Sequence, residues 1–228
     1  MTYRYLITSI IVIVLFQSFL SQASIPKPIW QNGKVIFWDK TTLEGDICYN
    51  WLTEMVLFRT KDGRMHTYST NQVSQFGWFD FNLHKYRDFQ TLIHQSDQAS
   101  AKQAFFEVCQ DGSLAVVRRL RSRRGFRKIA FTHPAYYSDH PAMADNPEYF
   151  EYFVNDGDHL RALDRFYTDV YTPLMTRYDK QLKKYRDTHN INDRLLFGRL
   201  VLINQYNLML EQDAKTASTK GLDTPQED

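Results

Sequence analysis

Between Trp30 and Asp158, apolar and polar residues alternate in short runs closed by turn signals. That period of two marks strands with one buried face. It predicts strands over Lys34 to Trp38, Leu43 to Asn50, Glu54 to Thr60, Arg64 to Ser69, Gln72 to Phe79, Tyr86 to Ile93, Ala104 to Cys109, Ser113 to Leu120 and Arg127 to Thr132. Tyr149 to Val154 and a short return arm, His159 to Leu163, follow. The pairs Asp62-Gly63, Asp111-Gly112 and Asp156-Gly157 punctuate the series, and Asp-Gly is the preferred dipeptide of a type I′ hairpin turn.

After Asp164 the period changes. Phe166, Val170, Leu174 and Tyr178 recur every fourth residue, Leu182 and Tyr185 continue the stripe, and Pro173 marks the start of the helix or a kink. Asn192 and Asp193 stand before Leu195, Leu196, Leu200, Ile203 and Tyr206, the pattern of an N-capped final helix. The expected fold is α+β: an antiparallel β-meander or roll of about nine to eleven short strands, followed by a C-terminal helical segment packed on it. In this reading residues 24–210 form one domain, mainly β over 24–163 and helical over 164–210. Residues 211–228, rich in Lys, Thr, Asp and Gln, have no apolar face and read as a disordered tail.

The first 23 residues follow a different logic: Arg4, an apolar core from Ile10 to Phe16, and small residues at Ser21 and Ala23. This is the layout of a secretory signal peptide, with Ser24 as the mature N-terminus. The apolar run from Leu6 to Leu20 falls short of the roughly 20 residues needed to span a bilayer, and no cysteine at the junction offers a lipid-anchor site. The mature chain has no second run long enough to cross a membrane, so the expected location is exported: periplasm, outer-membrane periphery or secreted.

Composition narrows the class without naming a reaction. The 228 residues include 28 Lys+Arg and 26 Asp+Glu, are 43% hydrophobic, and contain 9 Gly and 7 Pro, which excludes collagen-like and low-complexity chains. Two cysteines exclude a disulfide-dense scaffold. An oxidising compartment would permit Cys48 and Cys109 to pair, but both fall in expected strands, and strand-borne cysteines join only at suitable Cα distances. Two separate thiols is the reading adopted.

WQNGKVIFWDKTTLEGDICYN (residues 30–50), NQVSQFGWFD, AFFEVCQDGSLAVVRR and YFVNDGDHLRAL, with helices ending in QYN, occur in that order along the chain. Together they resemble a broad group of secreted envelope proteins of Gram-negative bacteria. The resemblance implies an envelope location and brings no activity, cofactor or catalytic residue. The stretch His133 to Pro147 departs most from the pattern.

No G-x-S-x-G, H-E-x-x-H, C-x-x-C, phosphate-loop or dinucleotide glycine pattern is present. The expectation is therefore a non-enzymatic structural or interaction module with no cofactor. His133, Asp139, His140 and Asp145 are the best metal candidates, but their loop spacing fixes no tetrahedron, and no metal site is assigned. The most unusual feature is RRLRSRRGFRK, in which Arg118, Arg119, Arg121, Arg123, Arg124, Arg127 and Lys128 place seven cations in eleven residues. Guanidinium forks bind phosphate and carboxylate bidentately, which suits an anionic envelope component: a lipid headgroup, lipopolysaccharide or an acidic glycan. An envelope protein is the other partner considered, and export argues against nucleic acid. The plainer alternative is a solvated hairpin tip whose arginines pair with Glu148, Glu151 and Asp139. Trp78, Phe79, Phe81 and Tyr86, or Tyr136, Tyr137, Tyr149 and Tyr152, could stack on sugar rings, although most such residues must fill the core.

Overall fold

A computed structural model describes residues 28–94, 101–121 and 144–220. The expected signal peptide, the strand from Arg127 to Thr132 and the tail beyond residue 220 lie outside the described residues. Ten strands pair antiparallel in one sheet: β1 Gln31–Phe37, β2 Thr42–Asn50, β3 Met55–Arg59, β4 Met65–Tyr68, β5 Val73–Asp80, β6 Lys85–His94, β7 Lys102–Gln110, β8 Ala115–Leu120, β9 Phe150–Asn155 and β10 Leu160–Ala162. Their spatial order is β10-β9-β8-β7-β6-β5-β1-β2-β3-β4. The α+β class holds.

The turn chemistry differs from expectation. Gly63, Gly112 and Gly157 take φ of 86°, 139° and 96°, but the preceding aspartates are not among the positive-φ residues, so these are not type I′ turns. The connections are the longer loops 60–64, 111–114 and 156–159, in which glycine alone supplies the left-handed residue.

Topology forces the sheet to coil. The link from β4 to β5 is only residues 69–72, yet β5 pairs with the far edge of β1. In a flat sheet β4 and β5 would lie four spacings, about 19 Å, apart, more than the roughly 17 Å the link spans when fully extended. The Phe37 and Tyr68 rings accordingly meet at 4.9 Å, and Trp38 Nε1 donates to the Thr70 carbonyl at 2.9 Å. Tyr49, at the end of β2, reaches Phe105 of β7 at 5.9 Å, and Trp51 reaches Phe150 of β9 at 5.1 Å. The coiled inner face encloses an aromatic core containing Val35, Ile47, Phe58, Phe76, Trp78 and Phe89.

The helices close one end of this inner face. After β10 come a 3-10 turn Leu163–Arg165, a π-helix Phe166–Met175, a second 3-10 turn Thr176–Tyr178, α1 Asp179–Thr188 and α2 Leu196–Lys220. The π-helix buries Phe166, Val170, Tyr171 and Met175 and leaves Leu174 half-buried, so the expected stripe through Leu174 shifts by one residue. Hydrogen bonds from i to i+5 widen the turn and cause that shift. Leu182, Leu202, Ile203 and Tyr206 join Val116 and Val154 in the second apolar cluster. Asn207 fixes α2 to the β7–β8 loop, accepting from the Leu114 N–H and donating to the Leu114 carbonyl, each at 3.0 Å.

Asn192 Oδ1 accepts the Arg194 N–H at 3.1 Å, a local cap, but the regular helix begins only at Leu196, and Leu195 is 60% exposed. At the other end α2 runs on through Lys220, correcting the expected disorder of residues 211–220. Once the packed part has nucleated a helix, extension needs little added stabilisation, and Arg177–Asp213 (3.0 Å) and Glu211–Lys215 (3.8 Å) ion pairs contribute some. Cys48 on β2 and Cys109 on β7 remain thiols, with β1, β5 and β6 between their strands. Among the described residues, no helix is long and apolar enough to cross a membrane.

Candidate functional site

The cationic run divides at the surface of the sheet. Arg118 lies on the inner face of β8, two residues from buried Leu120, and is 7% exposed. Its Nε donates to Glu107 Oε2 at 2.7 Å, Nη2 lies 2.6 Å from the same oxygen, and Nη1 donates to the Ala144 carbonyl at 2.9 Å. Its guanidinium stacks 4.0 Å from the Phe150 ring. These contacts remove Arg118 from the expected surface anion site, and its carboxylate partner is Glu107 rather than Glu148 or Glu151; Asp139 lies outside the described residues.

Glu107 belongs to a buried line of alternating charge, Asp80–Arg87–Glu107–Arg118, contributed by β5, β6, β7 and β8. Arg87 donates from Nε to Glu107 Oε1 at 2.8 Å and from Nη2 to Oε2 at 3.1 Å, and Nη1 reaches Asp80 Oδ2 at 3.4 Å. Asp80 Oδ1 accepts the N–H groups of Asn82 (2.9 Å) and Leu83 (3.1 Å). Burial would raise the Glu107 pKa, but the charges and hydrogen bonds of Arg87 and Arg118 outweigh it and hold the carboxyl below its ordinary value. The Tyr152 hydroxyl, hydrogen-bonded to Arg118, is pushed up by burial. Two cations neutralise two anions, so the line carries no net charge.

A neutralised buried line with closed hydrogen bonds is a register device more than a source of stability. Slipping any of these strands by one residue would move its charged side chain to the opposite face. On β8 Arg118 stands between Leu120 of the aromatic core and Val116 of the cluster under the helices, and Tyr152 packs against both.

Arg119 points to the opposite face. It pairs with Glu54 of the β2–β3 turn at 3.1 Å and lies 5.6 Å from the Phe106 ring. Arg121, just past β8, donates from Nη2 to the Phe150 carbonyl at 3.2 Å, while its buried Nε has no hydrogen-bond partner among the described residues. It lines a cleft of about 550 Å³ between β9, β10 and the start of α2. Arg165, Arg199 and His94 share its wall with Glu148, Glu151 and Asp164. Arg199 is fixed by the Asp193, Leu163 and Asp164 carbonyls at 3.1, 2.8 and 3.2 Å, and Arg165 pairs with Asp169 at 2.9 Å. The result is a cleft with two anchored guanidinium groups and one that is only partly satisfied. Arg123, Arg124, Arg127 and Lys128 lie outside the described residues.

His133, Asp139 and His140, and Tyr136 and Tyr137, also lie outside the described residues. Among the described residues no group of three or more His, Cys, Asp or Glu side chains is placed to hold a metal ion. The aromatic candidates separate by face: Trp78 is core at 1% exposure, whereas Phe79, Phe81 and Tyr86 are 42%, 72% and 48% exposed. Arg165 and Arg199 were not singled out by sequence reasoning, because only the return of the chain through β10 and α2 brings them to Arg121. The chain matches no protein-family model, no curated protein and no solved structure.

Proposed function

We propose that this protein is an exported, non-enzymatic interaction module of the cell envelope, which grips an anionic group in the cleft walled by Arg121, Arg165 and Arg199. The observation that carries the reading is Arg121: it lines the cleft, and its buried Nε–H has no acceptor among the described residues. An unsatisfied buried donor is costly, and a phosphate or carboxylate oxygen would satisfy it with a charge-assisted hydrogen bond. Arg123, Arg124, Arg127 and Lys128 follow directly in sequence and would extend the attraction to a polyanion. The non-enzymatic part rests on the buried charges. Glu107 is 1% exposed and held ionised between two arginines, so it can neither reach a substrate nor donate a proton.

The test is co-sedimentation with phosphatidylglycerol vesicles and with lipopolysaccharide, at low and high salt, for the wild type and Arg121→Gln. Salt-sensitive binding weakened about tenfold by Arg121→Gln supports the cleft. Binding unchanged by the substitution, or absent at low salt, overturns it.

A further inference from the structure

The outer face of β5 and β6 carries a feature that the anion cleft does not use. Register pairs Phe79 with Tyr86, Gly77 with Asp88 and Gln75 with Gln90, so these six residues form three cross-strand rungs on one face. Strand alternation would ordinarily put polar residues on all the outward positions, yet here the first rung is two aromatic rings. Phe81, in the following turn, adds a third ring at 5.1 Å and 73° to Phe79.

Tyr86 does not project into water at random. A Cβ added to Gly77 would come within 2.9 Å of both Tyr86 Cε1 and the hydroxyl oxygen, so the phenol ring reclines across β5 over the glycine. One ring face rests on backbone while the residue stays 48% exposed. The Lys34 ammonium lies 6.0 Å from the ring centroid. Beside the rings, the Gln75 amide donates to both Asp88 carboxylate oxygens at 2.8 and 3.0 Å, and the Gln90 amide reaches Asp88 Oδ2 at 3.4 Å. That locks a rank of amide and carboxylate groups next to the aromatic surface.

The geometry points to a saccharide-stacking platform on this face, formed by Tyr86, Phe79 and Phe81 and flanked by Gln75, Asp88 and Gln90. A pyranose has an apolar face of C–H bonds and a rim of hydroxyls. The reclined ring supplies a flat apolar support, and the adjacent amides and carboxylate supply both donors and acceptors for the rim. An acyl chain or an apolar peptide would leave that polar rank desolvated without new partners, which is costly. The platform is an open sheet surface, so its occupant is a run of several sugar residues along a polysaccharide. This site is separate from the arginine cleft and does not depend on it.

The protein expressed from its full sequence would be titrated calorimetrically with cellohexaose, chitohexaose and xylohexaose, and pulled down with insoluble peptidoglycan. Binding to at least one of these is expected, weakened about tenfold or more by Tyr86→Ala and by Phe81→Ala, and changed by less than about threefold by Tyr86→Phe. Phe81 is 72% exposed, so its truncation leaves the core untouched and keeps the test valid if Tyr86→Ala folds poorly. Arg121→Gln leaves this binding unchanged. No binding across the panel, or binding indifferent to Phe81→Ala, overturns the platform. So does Phe81-dependent association with phosphatidylcholine vesicles in the absence of any saccharide binding, which would assign the rings to a lipid surface.

Discussion

Glu107→Gln is the most informative single change in the sheet. The substitution keeps the shape of the side chain but leaves Arg87 and Arg118 facing a neutral amide in a site where the original residues are 1% and 7% exposed. Removing one member of a buried, hydrogen-bonded charge group costs about 3–5 kcal/mol, because the partners are left buried without compensation. With a guanidinium m-value of about 4 kcal/mol/M, that lowers the unfolding midpoint by about 1 M. Equilibrium guanidinium unfolding followed by fluorescence and circular dichroism reads the shift. Stability should also depend on pH in a defined direction. The folded-state pKa of Glu107 lies below its ordinary 4.5, so its contribution is fully present above that value and is lost as pH falls through the depressed one. The gap between wild type and Glu107→Gln is therefore widest near neutrality and narrows in acid below about pH 4.5. A loss under about 1 kcal/mol, or a gap that does not narrow in acid, would refute the account of a buried charge held ionised by two arginines.

Further outcomes follow from other contacts. Asn207→Ala removes both hydrogen bonds to Leu114 and should destabilise the protein by about 2–3 kcal/mol in the same unfolding assay, because it leaves a buried backbone donor and acceptor unmet. Denaturation without reductant followed by iodoacetamide should add two alkyl groups to the intact mass, since Cys48 and Cys109 do not pair with each other. Amide hydrogen exchange should be much faster over residues 211–217, which are exposed, than over 200–207, where Leu202, Ile203 and Tyr206 are buried.

Much of the strand order along the chain is legible because alternation of apolar and polar residues is a local signal. Lys34 to Trp38 anticipates β1 to within a few residues, and the Asp111-Gly112 loop does join β7 to β8. The coil is not local. Nothing within β4 or β5 says that β5 returns to β1, and the constraint appears only when the short link 69–72 is set against the strand spacing. The π-helix escapes for a related reason: a spacing of four fits an α-helix, and only the burial of Tyr171 and Met175 shows that the turns are wider.

The buried charges show how far the same local rule can be pushed. Asp80 stands two residues after Trp78, Arg87 two before Phe89, Glu107 two after Phe105 and Arg118 two before Leu120. Each therefore occupies an inward position of its strand by the same alternation that locates the core. Treating RRLRSRRGFRK as one solvated run overrides that period, because a dense row of like charges suggests water more strongly than any single residue suggests burial. Alternation instead sends Arg118 inward while Arg119 turns outward toward Glu54, so neighbours in a cationic run play opposite parts. Four consecutive strands each place a charge inward with alternating sign, Glu107 and Arg118 directly opposite and the others on neighbouring diagonals, which no isolated strand could tolerate. Arg118 thus helps hold the sheet in register, and the anion cleft we propose starts at Arg121, the first arginine past the end of β8.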